Sequence, residues 1–383
     1  MRIKKKNILF EQRVKSQMPI PNEVKQLHSL FTKNGFDLFI VGGAVRDTLL
    51  GNSIKDYDLA TNATPEDMVP MFDKVGIKNV PVEVGGKQAV VNLFMKDDYE
   101  IATFREDSKA GDGRRPDSVT FTDIATDVLR RDLTINALFY DMSTNEIVDL
   151  VGGIEDIKNG VIRTVGDASE RFEEDKLRIL RAVRFAARIS SSFDSGIDKA
   201  LKQNNSLEGI SGQRIREELL KGIKEAKSVK FYLTLLDRYN LFDWIFRGLN
   251  PINKNFIESR NEVVVIAGLL KNVENKFIAK ALNNLNYENT MINNISFLVR
   301  FDQEMNVNNF YDLKLKYEDT NVNGDFLKEF GRFLGMDMSI VNRFVEFNLT
   351  IDGEDVMRDN KIGPSKKVYE IKKKLETQLF LSK

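Results

Sequence analysis

VGGAVRDTLLG (41–51), followed closely by KDYDLATNA (55–63), is the stretch from which the rest of the chain can be read. An apolar strand runs into Gly42-Gly43, and a helix is predicted to begin just beyond. Backbone N–H groups at such a turn can face a phosphate, and Arg46 can add a cation. Taken alone, Gly-Gly at a strand end is more often just a tight turn. Asp56 and Asp58 flank Tyr57, and alternate residues of a strand share a face. Two carboxylates pointing the same way suit Mg²⁺, which takes oxygen ligands together with substrate phosphates. An isolated pair of this kind also reads as a solvated acidic turn. The Gly-Gly turn upstream and the apolar Leu59-Ala60 downstream favour the metal reading.

Three further segments carry chemistry. In YEIATFRED (99–107), Glu100 alternates with Ile101, so it either completes a carboxylate cluster from a neighbouring strand or faces water on an edge. In DVLRRDLTINALFYD (127–141), Arg130, Arg131 and Asp132 enter an amphipathic segment, with Asn136 placed one helical turn after Asp132. Arginines there suit a triphosphate and Asp132 suits a ribose hydroxyl. A helix N-terminus with surface ion pairs is the competing account. In RFEEDKLRILRAVRFAAR (171–188), read as one helix, Glu174, Asp175 and Arg178 fall on one arc, with Arg181, Arg184 and Arg188 on a stripe beside it. A carboxylate beside a guanidinium offers an acceptor next to a donor. Cytosine and adenine present the matching amino donor and ring-nitrogen acceptor, whereas uracil and guanine present the reverse. An Asp175–Arg178 pair could therefore accept C and A without a template, while the arginine stripe faced triphosphate or RNA backbone. The alternative is an exposed i,i+3 ion pair of little energetic weight.

Composition bounds these readings. The 383 residues suffice for two to three domains at roughly 150 residues each. Lys+Arg and Asp+Glu are both 57, so bulk charge does not hold this chain to nucleic acid, although a local basic groove remains open. There are no cysteines, which excludes disulfide partners, thiolate metal sites and Cys nucleophiles. The single histidine, His28, excludes His-rich metal centres. Acid–base work then falls to carboxylates, lysines or metal ions. No apolar run approaches a membrane span, no signal-peptide core follows the basic start, and the default expectation is a cytoplasmic protein without a membrane partner.

Six of the eight prolines lie before residue 117, among the short β-rich runs 38–43, 89–95, 99–104 and 118–121. Asn22–Gly35 reads as a helix, with Asn22 its N-cap. Beyond about 154 the period becomes helical, notably over 174–189, 212–226 and 229–246. Eleven Asn within 251–300 weaken individual helix assignments there. The fold class is α+β, a mixed or antiparallel sheet domain followed by an all-α array. The expected divisions are 1–20, a basic extension; 21–148, the α/β domain; then 149–215, 216–300 and 301–383, all helical.

The motifs together resemble the bacterial-type (class II) CCA-adding tRNA nucleotidyltransferases, in the superfamily that includes bacterial poly(A) polymerases. They run in the family's order: GGAVRD and DYD (42–47, 56–58), YEIATFR (99–105), DGRRPDSVTF (112–121), RRDLTINA (130–137), DLVGGIEDI (149–157), RFEEDKLRILRAVRFA (171–186) and GISGQRIREEL (209–219). The resemblance implies a seahorse-like head, neck, body and tail. It implies Asp56 and Asp58 as Mg²⁺ ligands, and Gly43, Arg46 and Arg131 on the incoming triphosphate. It implies Glu174, Asp175 and Arg178 as the base-reading set, with Arg181 and Arg184 beside the nucleotide. Residues 105–117 match a flexible loop linked in such enzymes to the switch from CTP to ATP, and its full length favours addition of all three nucleotides. Lys176, Leu133 and Ala102 depart from the family's usual residues and read as packing variations. The segment 351–375 resembles the tail of CCA-adding enzymes rather than of poly(A) polymerases.

The expected activity is template-independent addition of C, C and A to the tRNA 3′ end from CTP and ATP, with Mg²⁺ held by Asp56 and Asp58 and Glu100 as a third candidate. An A-adding enzyme or a poly(A) polymerase is the alternative. A non-catalytic RNA-binding protein on a decayed scaffold is opposed by the intact DYD. A small-molecule nucleotidyltransferase would leave the long helical region without purpose.

Overall fold

The computed structural model describes residues 11–108, 117–320 and 322–382. The first half of the proposed N-terminal extension, residues 109–116 of the proposed flexible loop, and the start of DGRRPDSVTF lie outside them. The chain forms two compact units, residues 1–209 and 210–383.

In the first unit, β1 (Gln12–Lys15), α1 (Asn22–Lys33), β2 (Leu38–Val41), α2 (Gly43–Leu49), β3 (Asp58–Thr61), α3 (Pro65–Lys74), β4 (Lys78–Val84), β5 (Lys87–Phe94) and β6 (Asp98–Thr103) follow in order. A small hairpin, β7 (Arg105–Asp107) and β8 (Val119–Phe121), the short helix α4 (Ile124–Asp127), and strands β9 (Leu138–Asp141) and β10 (Glu146–Asp149) come next. Eight strands form one sheet in the order β1-β10-β9-β2-β3-β6-β5-β4. Only β3 and β6 pair in parallel; every other pair is antiparallel.

Both faces of this sheet are covered, and the two-residue period sorts side chains between them. Leu38, Ile40, Leu59, Ile101, Leu138 and Tyr140 enter one core with Val24, Leu27 and Phe31 of α1 and Phe72 of α3. Phe39, Val41, Ala60, Phe104, Phe139 and Val148 enter the other. α3 starts where a Thr64–Asp67 capping box meets Pro65. α1 starts differently from the expectation: Pro21 is the N-cap, and Asn22 is already helical with no side-chain cap. The fixed φ of proline prepares that first turn.

After the sheet come α5 (Gly153–Asn159), the short strand β11 (Val161–Ile162), α6 (Ala168–Glu174), α7 (Leu177–Ile189), β12 (Ser192–Phe193), parallel to β11, and α8 (Ser195–Gln203). The single helix expected over 171–188 is therefore two. Asp175 breaks it with an extended backbone, and its Oδ1 accepts the amide of Leu177 at 3.1 Å. Periodicity alone missed this because an Asx-type bond to the backbone competes with the helix.

The second unit holds α9 (Gly212–Glu225), α10 (Val229–Arg238), α11 (Leu241–Ile245), α12 (Glu262–Leu270), α13 (Asn275–Asn284), α14 (Asn289–Glu304), α15 (Phe310–Glu318), α16 (Gly324–Leu334), α17 (Met338–Glu346), α18 (Gly353–Asn360) and α19 (Lys366–Ser382). The segment 229–246 is divided by Asn240 at φ +53°. The Asn-rich region is helical after all. α12 is buried from Val263 to Leu270, and Asn261 caps it. Burial outweighs propensity there. Phe301, Phe310, Phe344, Phe347 and Phe380 form an aromatic centre, with Phe310 and Phe380 stacked at 3.8 Å. No helix among the described residues is long and apolar enough to cross a membrane.

Candidate active site

The parallel pairing of β3 and β6 sets the centre of the site. Leu59 pairs with Ile101, so the residues just before them, Asp58 and Glu100, are neighbours on the opposite face. Both carboxylates are exposed. The face is that of Ala60 and Phe104. Asp56 lies in the loop before β3, so the DYD motif straddles a loop and a strand rather than lying along one strand.

The electrostatics mark a cluster of like negative charges. The Asp58 carboxyl is raised above the usual aspartate range, first because surrounding protein displaces water and then because Asp56 repels it; Arg131 acts in the opposite sense. Glu100 is raised by the same desolvation and by Asp58, with Arg105 opposing. Among the described residues, no three carboxylates or imidazoles close into a ready metal cage. An open set of hard, mutually repelling oxygen donors is nonetheless the donor chemistry that Mg²⁺ accepts when waters and phosphates complete its shell.

The arginines around this centre are held by buried carboxylates. Arg131 lies 4.7 Å over the Phe139 ring and donates from Nε and Nη2 to Asp127 Oδ2 at 3.2 and 3.0 Å. Asp127 is fully buried and also accepts from Arg130 Nε at 2.8 Å and from the Arg105 amide at 3.1 Å. Arg46 is buried. It forks onto Asp47 at 3.2 and 2.9 Å, and its Nη1 donates to Asn136 Oδ1 at 2.5 Å. Asp47 also accepts from Arg188 at 3.0 Å. Gly43 opens α2, where an added Cβ would lie 3.6 Å from Arg46 Nη2.

Asp132 and Asn136 are not on one α-helix, as the amphipathic reading had it. Asp132 precedes, and Asn136 ends, a 3-10 turn over Thr134–Asn136. They still meet, Asn136 Nδ2 donating to Asp132 Oδ1 at 3.4 Å. Arg181 Nε and Nη2 donate to Asp132 Oδ2 at 2.8 and 2.5 Å. Burial alone would raise the Asp132 carboxyl; Arg181 above all, then Leu133 and Asn136, hold it below the usual range. Arg184 is buried, 4.3 Å from the Phe185 ring.

At the α6–α7 junction, Arg178 Nη1 donates to Glu174 Oε2 at 2.8 Å and to the Arg171 carbonyl at 3.0 Å. Glu174 also receives Arg171. The three residues assigned to base reading thus adjoin, with Glu174 as the carboxylate on Arg178 and Asp175 turned into the junction.

Sequence reasoning missed Asp47, Asp127 and Arg171, which hold the named arginines or the turn that carries them. Asp127 stood three and four residues before Arg130 and Arg131, a spacing that signals ion pairs, but nothing in the sequence told that it is buried. DLVGGIEDI proves structural. The fully buried Asp149 accepts four consecutive amides, Val151 to Ile154, at 2.8–3.1 Å. Asp156 accepts from Thr134 Oγ1 at 2.6 Å.

Two family models match the chain: the Poly A polymerase head domain over residues 38–163, and the "Probable RNA and SrmB- binding site of polymerase A" over 196–253. The CCA-adding enzyme of Lactobacillus helveticus is 44% identical over 192 residues, 49% of this chain and 46% of the relative. That of Staphylococcus haemolyticus is 37% identical over 234 residues, 60% and 56% of the two chains. The chain thus matches about half the length of these curated relatives. Among solved structures, the Bacillus stearothermophilus CCA-adding enzyme in complex with CTP superposes with TM-score 0.67 at 24% identity, covering 95% of this chain and 94% of that one. The Thermotoga maritima CCA-adding enzyme complexed with tRNA superposes with TM-score 0.66 at 20% identity, covering 94% and 92%. Residues 38–163 thus match the Poly A polymerase head domain, and the chain has a fold shared with the CCA-adding enzymes.

Proposed function

We propose that this chain adds C, C and A, without a template, to the 3′ end of tRNA, using CTP and ATP and releasing pyrophosphate. The observation that carries the reading is the pair Asp58 and Glu100, neighbours on parallel strands, with Asp56 and Arg131 acting on the same charge. The curated CCA-adding relatives support the same assignment.

Asp56 and Asp58 would hold Mg²⁺, which when bound supplies Lewis-acid polarisation of the reacting oxygens. Glu100, raised above the usual glutamate range, is suited to accept the proton of the tRNA 3′-hydroxyl on a carboxylate oxygen. The 3′-oxygen then bonds to the α-phosphorus as the bond to the β-phosphate oxygen breaks, and pyrophosphate leaves. Arg131, which already acts on the Asp58 charge, would meet the charge that develops on the leaving pyrophosphate. Arg46 and Arg181, fixed by Asp47, Asn136 and Asp132, offer preorganised positive field with little reorganisation. Gly43 would let the turn approach a phosphate, and Asp132 and Asn136 would hold a ribose hydroxyl. Asp175 and Arg178 choose the base edge, Glu174 steadying Arg178, with Arg184 beside them. The helices of the second unit grip tRNA by shape and phosphates.

The test uses purified full-length protein, Mg²⁺, and tRNA transcripts ending at the discriminator base, at C, or at CC, each with CTP, ATP or both. Addition that stops after C, C, A supports the reading, and Asp58→Ala should abolish it while tRNA binding persists. Long A tails would make the protein a poly(A) polymerase, in keeping with the name of its head-domain family. A addition confined to the CC-ending transcript would make it an A-adding enzyme.

A further inference from the structure

Arg171 has no place in the chemistry above, yet it joins the two halves of the site. It lies on α6, 11% of its side chain exposed. Its Nη2 donates to the backbone carbonyls of Arg130 at 2.7 Å and Arg131 at 2.8 Å, forty residues away in sequence. Its Nη1 donates to Glu174, the carboxylate that holds Arg178 at 2.8 Å, and its own carbonyl receives the same Arg178 nitrogen at 3.0 Å. One guanidinium thus fixes the turn bearing Arg131 and, through Glu174, the guanidinium of Arg178.

We infer that Arg171 is a positioning residue for base selection, a fork that keeps Arg178 in register with the phosphate-facing Arg131 turn. The inference rests on the reading of Arg178 as a base-selecting group. Its physical basis is geometric. Two carbonyls and a carboxylate are met at once by a planar fork of N–H donors, and a lysine ammonium is a point charge on a flexible stem that cannot reproduce it. Losing the fork frees Arg178 to reorient, which weakens discrimination against bases with the reversed donor–acceptor pattern more than it weakens use of the correct one. Because the fork also anchors the Arg131 turn, its loss slows transfer of every nucleotide alike, and the ratio between nucleotides is what reports on Arg178.

The experiment compares wild type, Arg171→Lys, Glu174→Gln and the double variant as full-length proteins. It measures kcat/KM for CTP and for UTP on tRNA ending at the discriminator base, alongside melting temperature. Arg171→Lys should lower the CTP-to-UTP preference by about tenfold or more, with UTP use rising relative to CTP, a change read as lost differential transition-state binding. Glu174→Gln should cost a similar factor, and the double variant no more than either alone, as expected of two links in one relay. An unchanged preference in Arg171→Lys, an equal loss for both nucleotides, or additive losses in the double variant would overturn the inference. Should wild type itself fail to prefer CTP over UTP, the base-selection reading falls first, and the two failures are told apart by that control.

Discussion

Gly153→Ala tests how tightly the α5 start is packed under the site. Gly153 is the first residue of α5 and needs no unusual backbone; it is required by space. A Cβ there would stand 2.2 Å from the Thr134 carbonyl oxygen, 2.8 Å from its carbon and 3.1 Å from Leu138 Cδ2. Ordinary contact begins at 3.4 Å, so a backbone carbonyl, not a flexible side chain, must retreat by about 1.2 Å. Overpacking of this kind costs about 1–3 kcal/mol, and alanine returns up to about 1 kcal/mol of helix propensity. The expected net loss is about 1–2 kcal/mol, or a fall of about 2–8 °C in melting temperature for a unit of this size. The displaced oxygen also accepts the Ala137 amide at 3.0 Å and so closes the turn that carries Asn136, the partner of Arg46. Activity should fall with stability. Differential scanning calorimetry of the full chain is the assay. Gly363→Ala, with ordinary backbone and nothing within 4 Å, is the control and should melt as wild type. A Gly153→Ala protein that melts with wild type, and keeps its activity, would refute the packing argument.

Asp58 and Glu100 are raised carboxyls, so in the window just above the ordinary carboxyl range the folded protein retains protons that the unfolded chain has lost, and stability falls as pH rises through it. Asp58→Asn and Glu100→Gln should therefore melt higher than wild type at neutral pH without metal, lose that advantage on acidification, and lose nucleotidyl transfer; thermal melts across pH check the sign. Asp132 is lowered instead, so its contribution is present at neutral pH and lost as pH falls below the ordinary aspartate range. Asp132→Asn should melt lower than wild type near pH 7, converge with it in acid, and raise KM for nucleotide through the released Arg181. Asp149→Ala leaves four amides without their acceptor; at about 1.5–3 kcal/mol for a charged hydrogen bond, the loss should exceed about 3 kcal/mol in denaturant titration.

The local order of this protein was legible in its sequence. The Gly42-Gly43 turn, the alternating strands β2, β5 and β6, and the long helical periods follow from φ preferences and side-chain periods that act over a few residues. So did the residue types of the site, because carboxylates, arginines and a donor beside an acceptor carry their chemistry wherever they lie. What the sequence could not give was depth and adjacency. Asp58 and Glu100 are forty-two residues apart, and only the parallel β3–β6 register makes them neighbours. The arginine stripe of α7 reads from sequence as a surface awaiting phosphate; in the fold Arg181 and Arg188 are bound to Asp132 and Asp47. Ion pairs of the kind the competing readings expected do exist, but those on Asp47 and Asp127 are buried and form the frame of the site. The break at Asp175 likewise depends on one side chain capturing one amide. The contacts of Arg171 and Arg188, by contrast, join segments 40 to 141 residues apart. Their strength comes from shared burial, a property of the assembled core and not of any stretch of chain.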